Sequence, residues 1–331
     1  MKILIVNEST IPVLGYGGTE RVVWYLGKEL ATAGHTVAYA TNKNSRCDFG
    51  EIIAWKNGFD FKSIIPDDVD LIHFNTVPED LDLSTLEYPY IITMHGNPGE
   101  SEVLDRNTVF VSANHAERYG ATAFVHNGLD WSDYPAPELD SKREYFHFLG
   151  DASWRVKNVR GAIDIVAATK NQQLYVLGGN RVNFRMGFRL TLPSRIKFMG
   201  MVGGTEKSKL INGSKGLIFP VLWDEPFGLA IIESLYFGCP VFGTPYGSLP
   251  ELIPHQVGFL SDKIEEHVAA IRQTEQFSKL LCHQYAVEHF NSKKMADSYL
   301  QKYAQVISGQ FLNSSTPKLV LKSTEKFLPW S

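Results

Sequence analysis

The sequence predicts an α/β fold built as two successive domains, each on a parallel sheet. Three observations carry this. The chain has 331 residues, more than one hydrophobic core usually absorbs. Short apolar runs alternate with helical or irregular segments along its length, the pattern of strands joined by crossovers. The alternation breaks near residue 130, where "DWSDYPAPELDSKRE" is rich in Pro, Asp and Ser and has no periodicity, so it reads as a linker.

The first series opens with "KILIVN", short, β-branched and apolar on both faces, as a buried parallel strand should be. A Gly-rich loop, "LGYGG", follows. The run "TERVVWYLGKELATAGH" then reads as a helix, with Thr19 as its cap, Val22, Val23, Leu26 and Leu30 on one side, and Gly34 as its stop. Strands are expected at "TVAYA", "DLIHF", "YIITM", "TVFVS" and "AFV". The second series begins after the linker. It has strands at "YFHFLG", "QLYVLGG", "RIKFMG", "GLIFP" and "PVFGT", and helices at "GAIDIVAAT", "EKSKLING" and from about Phe227. Beyond 262 the chain is helical and more polar up to about Ser308. In such folds a ligand is expected at the carboxyl ends of the strands, in a cleft between the domains.

Composition excludes several classes. The net charge of −4 argues against a polyanion, and so against nucleic acid as the main partner. Cys47, Cys239 and Cys282 are far apart and odd in number, which gives no zinc or disulfide framework and fits a reducing cytosol. The apolar run at the start is too short for a signal-peptide core. No apolar stretch reaches about 18 residues.

The segment "DEPFGLAIIESLYFGCPVFGTPYGSLPELI" at 224–253 carries the chemistry. A helix starting near Phe227 leaves its first backbone N–H groups unpaired at the strand end, where its dipole favours a phosphate. Glu225 stands just ahead of that start and Glu233 two turns in. Eight helical residues cover about 12 Å, comparable to a nucleotide sugar from sugar hydroxyls to ribose. One carboxylate could accept hydrogen bonds from the sugar and the other from the ribose, with Phe227, Gly228 and Leu229 around the diphosphate. The same spacing also fits two solvated glutamates on an amphipathic helix.

This block resembles the E-x7-E signature of retaining glycosyltransferases of the GT-B fold, family four. The resemblance extends over most of the chain and is strongest here. It implies two Rossmann-like parallel-sheet domains with an interdomain cleft. Residues 1–135 would form the acceptor-side domain, completed by a C-terminal helix and tail at about 292–331, and residues 144–290 the donor-binding domain. "LGYGGTERVV" resembles the family loop that closes over the donor, with Gly17 and Gly18 as the matching positions. It is no dinucleotide fingerprint, since Glu20 stands where the third glycine belongs. His95, in "TMHG" at the end of an expected strand, resembles the family histidine that faces the donor sugar. "FVHNGLD" resembles a family turn, with Asn127 and Gly128 in turn roles. "FLGDASWRVKN" departs from the pattern: Asp151 occupies the position of the family arginine. Arg155 is the candidate to supply that guanidinium, and Lys157 matches the family lysine that neutralises the diphosphate. "IKFMGMVGG" resembles the loop that meets the base, through Met201 and Val202. Ser248 stands where a glycine is common.

Asp68-Val-Asp70 and Asp80-Leu-Asp82 match the manganese-binding Asp-x-Asp of another glycosyltransferase fold only superficially; their loop positions favour structural roles. The resemblance implies no metal and no cofactor, with the nucleotide-diphosphate sugar as donor substrate. It implies a retaining hexosyltransferase acting on a glycan, lipid-linked or small-molecule acceptor, in cell-surface glycan or glycolipid assembly. Two alternatives stay open: an inactive nucleotide-sugar-binding protein, suggested by Asp151, and a GT-B nucleotide-sugar epimerase. The location implied is cytoplasmic. The tail around Lys318, Lys322 and Lys326, with its interleaved apolar residues, is a candidate for peripheral contact with the inner membrane face or for simple packing.

Overall fold

The computed structural model describes residues 1–13, 17–183, 189–191, 193–321 and 327–331. The chain divides into two compact units. One comprises Met1–Trp131 and the segment from Phe290; the other comprises Ser132–His289 and the last residues.

In the first unit the strands are β1 (Lys2–Val6), β2 (Thr36–Thr41), β3 (Glu51–Ala54), β4 (Leu71–Phe74), β5 (Tyr90–Met94) and β6 (Thr108–Phe110). They form one parallel sheet in the order β3-β2-β1-β4-β5-β6. β1 is central and Ile3 to Val6 are fully buried, as its unbroken apolar run requires. The short strand β3 was not foreseen: its four residues are exposed or only half-buried, so it lacks the apolar signature of an inner strand. "AFV" pairs through a single bridge, Phe110 to Phe124, and forms no strand.

Helix α1 (Thr19–Thr32) buries Val22, Val23, Leu26 and Leu30 against the sheet. Its cap position is Gly18, with no side-chain cap, so Thr19 is the first helical residue rather than the cap. Gly27 lies so close to the sheet that a Cβ there would stand 1.9 Å from the Tyr39 hydroxyl. A short helix, α2 (Ala113–Arg118), follows β6.

The second unit repeats the topology. Its strands are β7 (Tyr145–Leu149), β8 (Leu174–Leu177), β11 (Ile196–Phe198), β12 (Ser214–Phe219), β13 (Val241–Gly243) and β14 (Gly258–Leu260), in the parallel order β11-β8-β7-β12-β13-β14. Two-residue strands β9 (Val182–Asn183) and β10 (Arg189–Leu190) pair antiparallel outside it. The helices are α3 (Val159–Ala167), α4 (Gly204–Asn212), α5 (Leu229–Tyr236), α6 (Leu249–Leu252), α7 (Ile264–Arg272) and α8 (Lys279–His289). A core of Phe146, Phe148, Ile165, Val166, Ile218 and Phe242 lies between the sheet, α3 and α7. On the other face, His147 is buried between the hydroxyls of Ser214 and Ser234, at 2.7 and 2.9 Å.

Helix α9 (Ser292–Ile307) packs on α1 and β5 of the first unit. Tyr303 and Tyr299 reach the sheet through a buried chain of hydroxyls: Tyr303 to His73 at 2.7 Å, His73 to Thr93 at 2.7 Å, and Thr93 to Tyr299 at 2.9 Å. Gly128 is needed for close approach to α9, since a Cβ there would lie 2.2 Å from the Asn291 carbonyl oxygen.

Two segments depart from expectation. The stretch read as a linker packs on the second unit: Glu138 N–H donates to Asn212 (2.9 Å), and Arg143 donates to the carbonyls of Ser214 (2.9 Å) and Phe237 (2.6 Å). The tail completes the first unit as expected as far as Leu321, with Lys318 N–H donating to the Tyr119 carbonyl at 2.9 Å, but its last residues lie on the second. Leu328 N–H donates to the Leu222 carbonyl at 2.9 Å and Ser331 N–H to that of Asp262 at 3.0 Å. Trp330 packs against the second unit's core. Apolar burial of that indole, with satisfied backbone groups, outweighs the polar character of the tail. Lys318 is described; Lys322 and Lys326 lie outside the described residues. Among the described residues no helix is long and apolar enough to cross a membrane.

Candidate active site

Strand order reverses between β7 and β12 in the second unit, and ligands of open α/β sheets gather beyond the strand ends at such a point. Two loops leave there, Gly150–Asn158 after β7 and Pro220–Gly228 after β12.

The first loop is braced from within. The Asp151 carboxylate accepts from Ser153 N–H at 2.8 Å and from its hydroxyl at 2.6 Å. Asn158, with φ of 53°, caps α3 by accepting from Gly161 N–H at 2.9 Å and donates to the Pro220 carbonyl at 2.9 Å. Leu222 N–H donates to the Val156 carbonyl at 2.8 Å. These bonds lock the two loops together and deliver Lys157 to Glu225. Its ammonium donates to both carboxylate oxygens, at 2.8 and 2.6 Å. The Trp223 indole N–H donates to the second oxygen at 2.7 Å, and Lys157 lies 5.0 Å from the Trp223 ring centroid. Glu225 is 6% exposed, so an unpaired charge there would be costly and the lysine offsets it. Arg155 is absent from this cluster. Its guanidinium lies 4.9 Å above the ring of Phe327, which belongs to the end of the tail.

The loop bearing Glu225 is held from behind. Ser248 N–H donates to the Glu225 carbonyl at 2.9 Å, and the Ser248 hydroxyl to that of Phe227 at 2.8 Å. The serine in place of a glycine is thus a tie. Gly247, with φ of 60°, packs so tightly that a Cβ would lie 2.2 Å from the Glu225 nitrogen. Helix α5 starts at Leu229, two residues later than expected. Gly228 caps it at φ of 90° with no side-chain cap, while Phe227 is buried as an apolar anchor.

Glu233 is also buried. Its Oε1 accepts from the Tyr134 hydroxyl at 3.0 Å and from the ammonium of Lys207 on α4. Each carboxylate of the pair therefore has its own largely buried lysine. Beyond β11, Met201 is 53% exposed and Val202 is buried, which leaves the Val202 backbone rather than its side chain for any contact.

In the first unit His95 directly follows β5, and its Nε2 lies 2.8 Å from Asn75 Oδ1. Surrounding protein pushes its pKa down to about 4, so the ring is neutral near pH 7. The loop after β1 brings Gly17 and Gly18 to the start of α1, where Arg21 donates to the Gly17 carbonyl at 2.8 Å. Residues 14–16 of the same loop lie outside the described residues. Within the Asp-x-Asp pairs, Asp68 pairs with Lys2 at 2.6 Å, Asp70 accepts from Lys2 N–H at 2.7 Å, and Asp82 accepts from Ser84. Among the described residues no cluster of three or more His, Cys, Asp or Glu could hold a metal.

Sequence reasoning missed Trp223, Lys207, Tyr134 and Asn75. Trp223 stands two residues before Glu225 and Asn75 directly follows β4, so both had positional signals. Lys207 read as an ordinary helix cation and Tyr134 as linker.

Residues 143–276 match the family model described as glycosyl transferases group 1. The matched stretch lies within the second unit and covers less than half of the chain. Two curated relatives overlap this chain in part. An uncharacterized glycosyltransferase of Methanocaldococcus jannaschii is 31% identical over 70 residues, 21% of this chain. Sucrose synthase 2 of Zea mays is 28% identical over 148 residues, 38% of this chain. Each match spans 18% of the relative's own length. Among solved structures, AviGT4, a glycosyltransferase involved in avilamycin A biosynthesis, superposes with a TM-score of 0.74 at 19% identity, covering 93% of this chain and 98% of its own. HepE of Anabaena, in complex with UDP-glucose, superposes with a TM-score of 0.64 at 17% identity, covering 93% and 100%. At these identities the likeness speaks for the fold, which is GT-B, with two Rossmann-like units. The matched stretch contains Lys157, Lys207, Trp223, Glu225, Glu233 and the start of α5; Tyr134 lies before it.

Proposed function

We propose that the protein is a retaining glycosyltransferase that moves a hexosyl group from a nucleotide-diphosphate sugar to an acceptor hydroxyl, without a metal ion. The observation that carries this reading is the Lys157–Glu225–Trp223 cluster at the topological switch point, beside the start of α5, which has no side-chain cap, and inside the stretch that matches the glycosyl transferases group 1 model. HepE, of the same fold, binds UDP-glucose, which supports a nucleotide sugar as donor.

In this reading the Glu225 carboxylate takes a hydroxyl of the transferred sugar and Glu233 those of the ribose. The first amides of α5 and the Lys157 ammonium face the diphosphate, where negative charge grows as the bond to the anomeric carbon breaks. The acceptor oxygen bonds to that carbon from the face the diphosphate leaves, and its proton passes to a diphosphate oxygen. Catalysis then rests on placement and electrostatics. Because Lys157 also holds Glu225, one cation serves sugar and leaving group together. His95, Gly17 and Gly18 take their donor-side roles from family resemblance, as do a cytoplasmic location and a place in cell-surface glycan or glycolipid assembly.

The test is a panel of UDP-, GDP- and ADP-sugars scored for binding, slow hydrolysis without acceptor, and transfer. Glu225→Ala is expected to lower turnover by about a hundredfold or more with the fold retained. Unchanged turnover in that variant removes Glu225 from the mechanism. Binding without hydrolysis or transfer by the parent protein makes it a binding module.

A further inference from the structure

We propose that Trp154, backed by Trp223, forms a carbohydrate-stacking subsite that receives one face of a pyranose ring. The inference rests on the glycosyltransferase reading and adds a ligand contact to it. Trp154 sits at the apex of the loop after β7 and is 46% exposed. A large indole left that open on a loose loop would need no explanation. This loop is not loose. Trp154 N–H donates to the Asp151 carbonyl at 3.1 Å, Lys157 N–H donates to the Trp154 carbonyl at 3.0 Å, and the Asp151 carboxylate holds Ser153 between them. The backbone therefore presents the indole in a fixed place.

Trp223 fixes the ring as well. The two indoles meet edge to face, centroids 6.3 Å apart and planes at 90°. Trp223 is engaged by its N–H with Glu225 and by a ring face with the Lys157 ammonium. It thus joins the exposed indole to the carboxylate–ammonium pair. The outcome is an apolar platform joined through Trp223 to a strong acceptor and a strong donor. A pyranose has the matching surface, an apolar C–H face and a rim of hydroxyls: the face suits the indole, the hydroxyls suit Glu225 and Lys157.

A nucleobase would also stack on tryptophan. It is disfavoured because Glu233 is assigned to the ribose end and lies eight residues further along, while Trp154 is joined to Glu225. The ring could belong to the donor sugar or to an acceptor sugar, and the experiment separates these sources.

The protein is labelled with 5-fluorotryptophan, and the Trp154 fluorine resonance is assigned by its loss in Trp154→Phe. UDP, GDP and ADP are titrated, then their glucose conjugates, then methyl α-D-glucopyranoside onto the nucleotide-bound protein. Movement with a nucleotide-glucose but not with the matching diphosphate places the donor sugar on Trp154. Movement only with the methyl glucoside places an acceptor sugar there. A stationary resonance while calorimetry reports nucleotide binding overturns the subsite, and so does a full shift with the diphosphate alone. Absence of binding by every nucleotide overturns the glycosyltransferase reading and the subsite with it. As a second arm, Trp154→Ala is expected to raise KM for the sugar concerned about tenfold, with Trp154→Tyr restoring most of the loss and Trp154→Leu restoring little. Equal KM values in all three variants, each melting like the parent protein, also overturn the proposal.

Discussion

The Lys157 ammonium bridges both oxygens of the Glu225 carboxylate, at 2.8 and 2.6 Å, joining the loops that leave β7 and β12. Both groups are mostly hidden, at 15% and 6% side-chain exposure. Removing one partner strands the other, which costs about 3–5 kcal/mol in buried pairs. Lys157→Met should therefore destabilise the second unit by that order, and Lys157→Met/Glu225→Leu by less than the sum of the single changes. Denaturant unfolding of the four proteins measures the coupling. Additive losses would mean that the pair is not coupled in solution.

Glu233 offers a graded comparison. Tyr134→Phe removes one neutral hydroxyl donor and should cost about 1–2 kcal/mol, whereas Lys207→Met removes the charge partner and should cost about 3 kcal/mol or more. If Tyr134 binds Glu233 as described, the phenylalanine variant should also alter affinity for a nucleoside diphosphate more than affinity for free sugar. Calorimetric titration of UDP, GDP and ADP checks this, and an unchanged affinity for all three would detach Tyr134 from the nucleotide end.

Buried neutral histidines should make both units acid-sensitive. Burial pushes His73 of the first unit and His147 of the second down to about 3 from 6.5. Each folded ring stays unprotonated while its unfolded counterpart takes up a proton. Their contribution is therefore complete above pH 6.5 and is lost as pH falls from 6.5 towards 3, at up to about 1.4 kcal/mol per pH unit for each histidine. Urea midpoints measured from pH 7.5 to 4.5 should fall steadily below 6.5. Flat midpoints between pH 6.5 and 5 would contradict the buried, neutral assignment.

Gly247 tests the brace behind Glu225. Alanine there meets both a left-handed backbone and the Glu225 nitrogen at 2.2 Å. At Gly34, with φ of 87°, no atom lies within 4 Å of an added Cβ, so alanine carries backbone strain alone, about 1 kcal/mol. Gly247→Ala should lower stability well beyond Gly34→Ala and reduce donor turnover, while Gly34→Ala leaves turnover intact. Similar behaviour of the two variants in melting and hydrolysis assays would show that the loop can yield.

The sequence made the sheets legible because inner parallel strands are short, continuous apolar runs. It hid β3, whose residues are half-solvated, and β14, which is three residues following a polar loop. Glu225, Glu233 and Lys157 were found through their spacing and family pattern. Their partners were not, because Lys207 and Tyr134 reach Glu233 from segments 26 and 99 residues away, and no local period encodes such a meeting. The C-terminal segment was placed correctly as far as Leu321, and only its last residues were not. The family resemblance assigned all of it to the first domain, whereas Trp330 and a few backbone hydrogen bonds hold its end on the second unit.

The return of α9 to the first unit bears on synthesis by the ribosome. Tyr299 and Tyr303 are translated only after all of Ser132–His289 has emerged, yet they complete the hydroxyl chain around His73. The nascent N-terminal sheet must therefore wait, one face uncovered, through more than 150 residues of elongation, an interval on the order of ten seconds or more at 5–20 residues per second. A chaperone that shields exposed apolar surface during that interval would be expected to improve the yield of native protein.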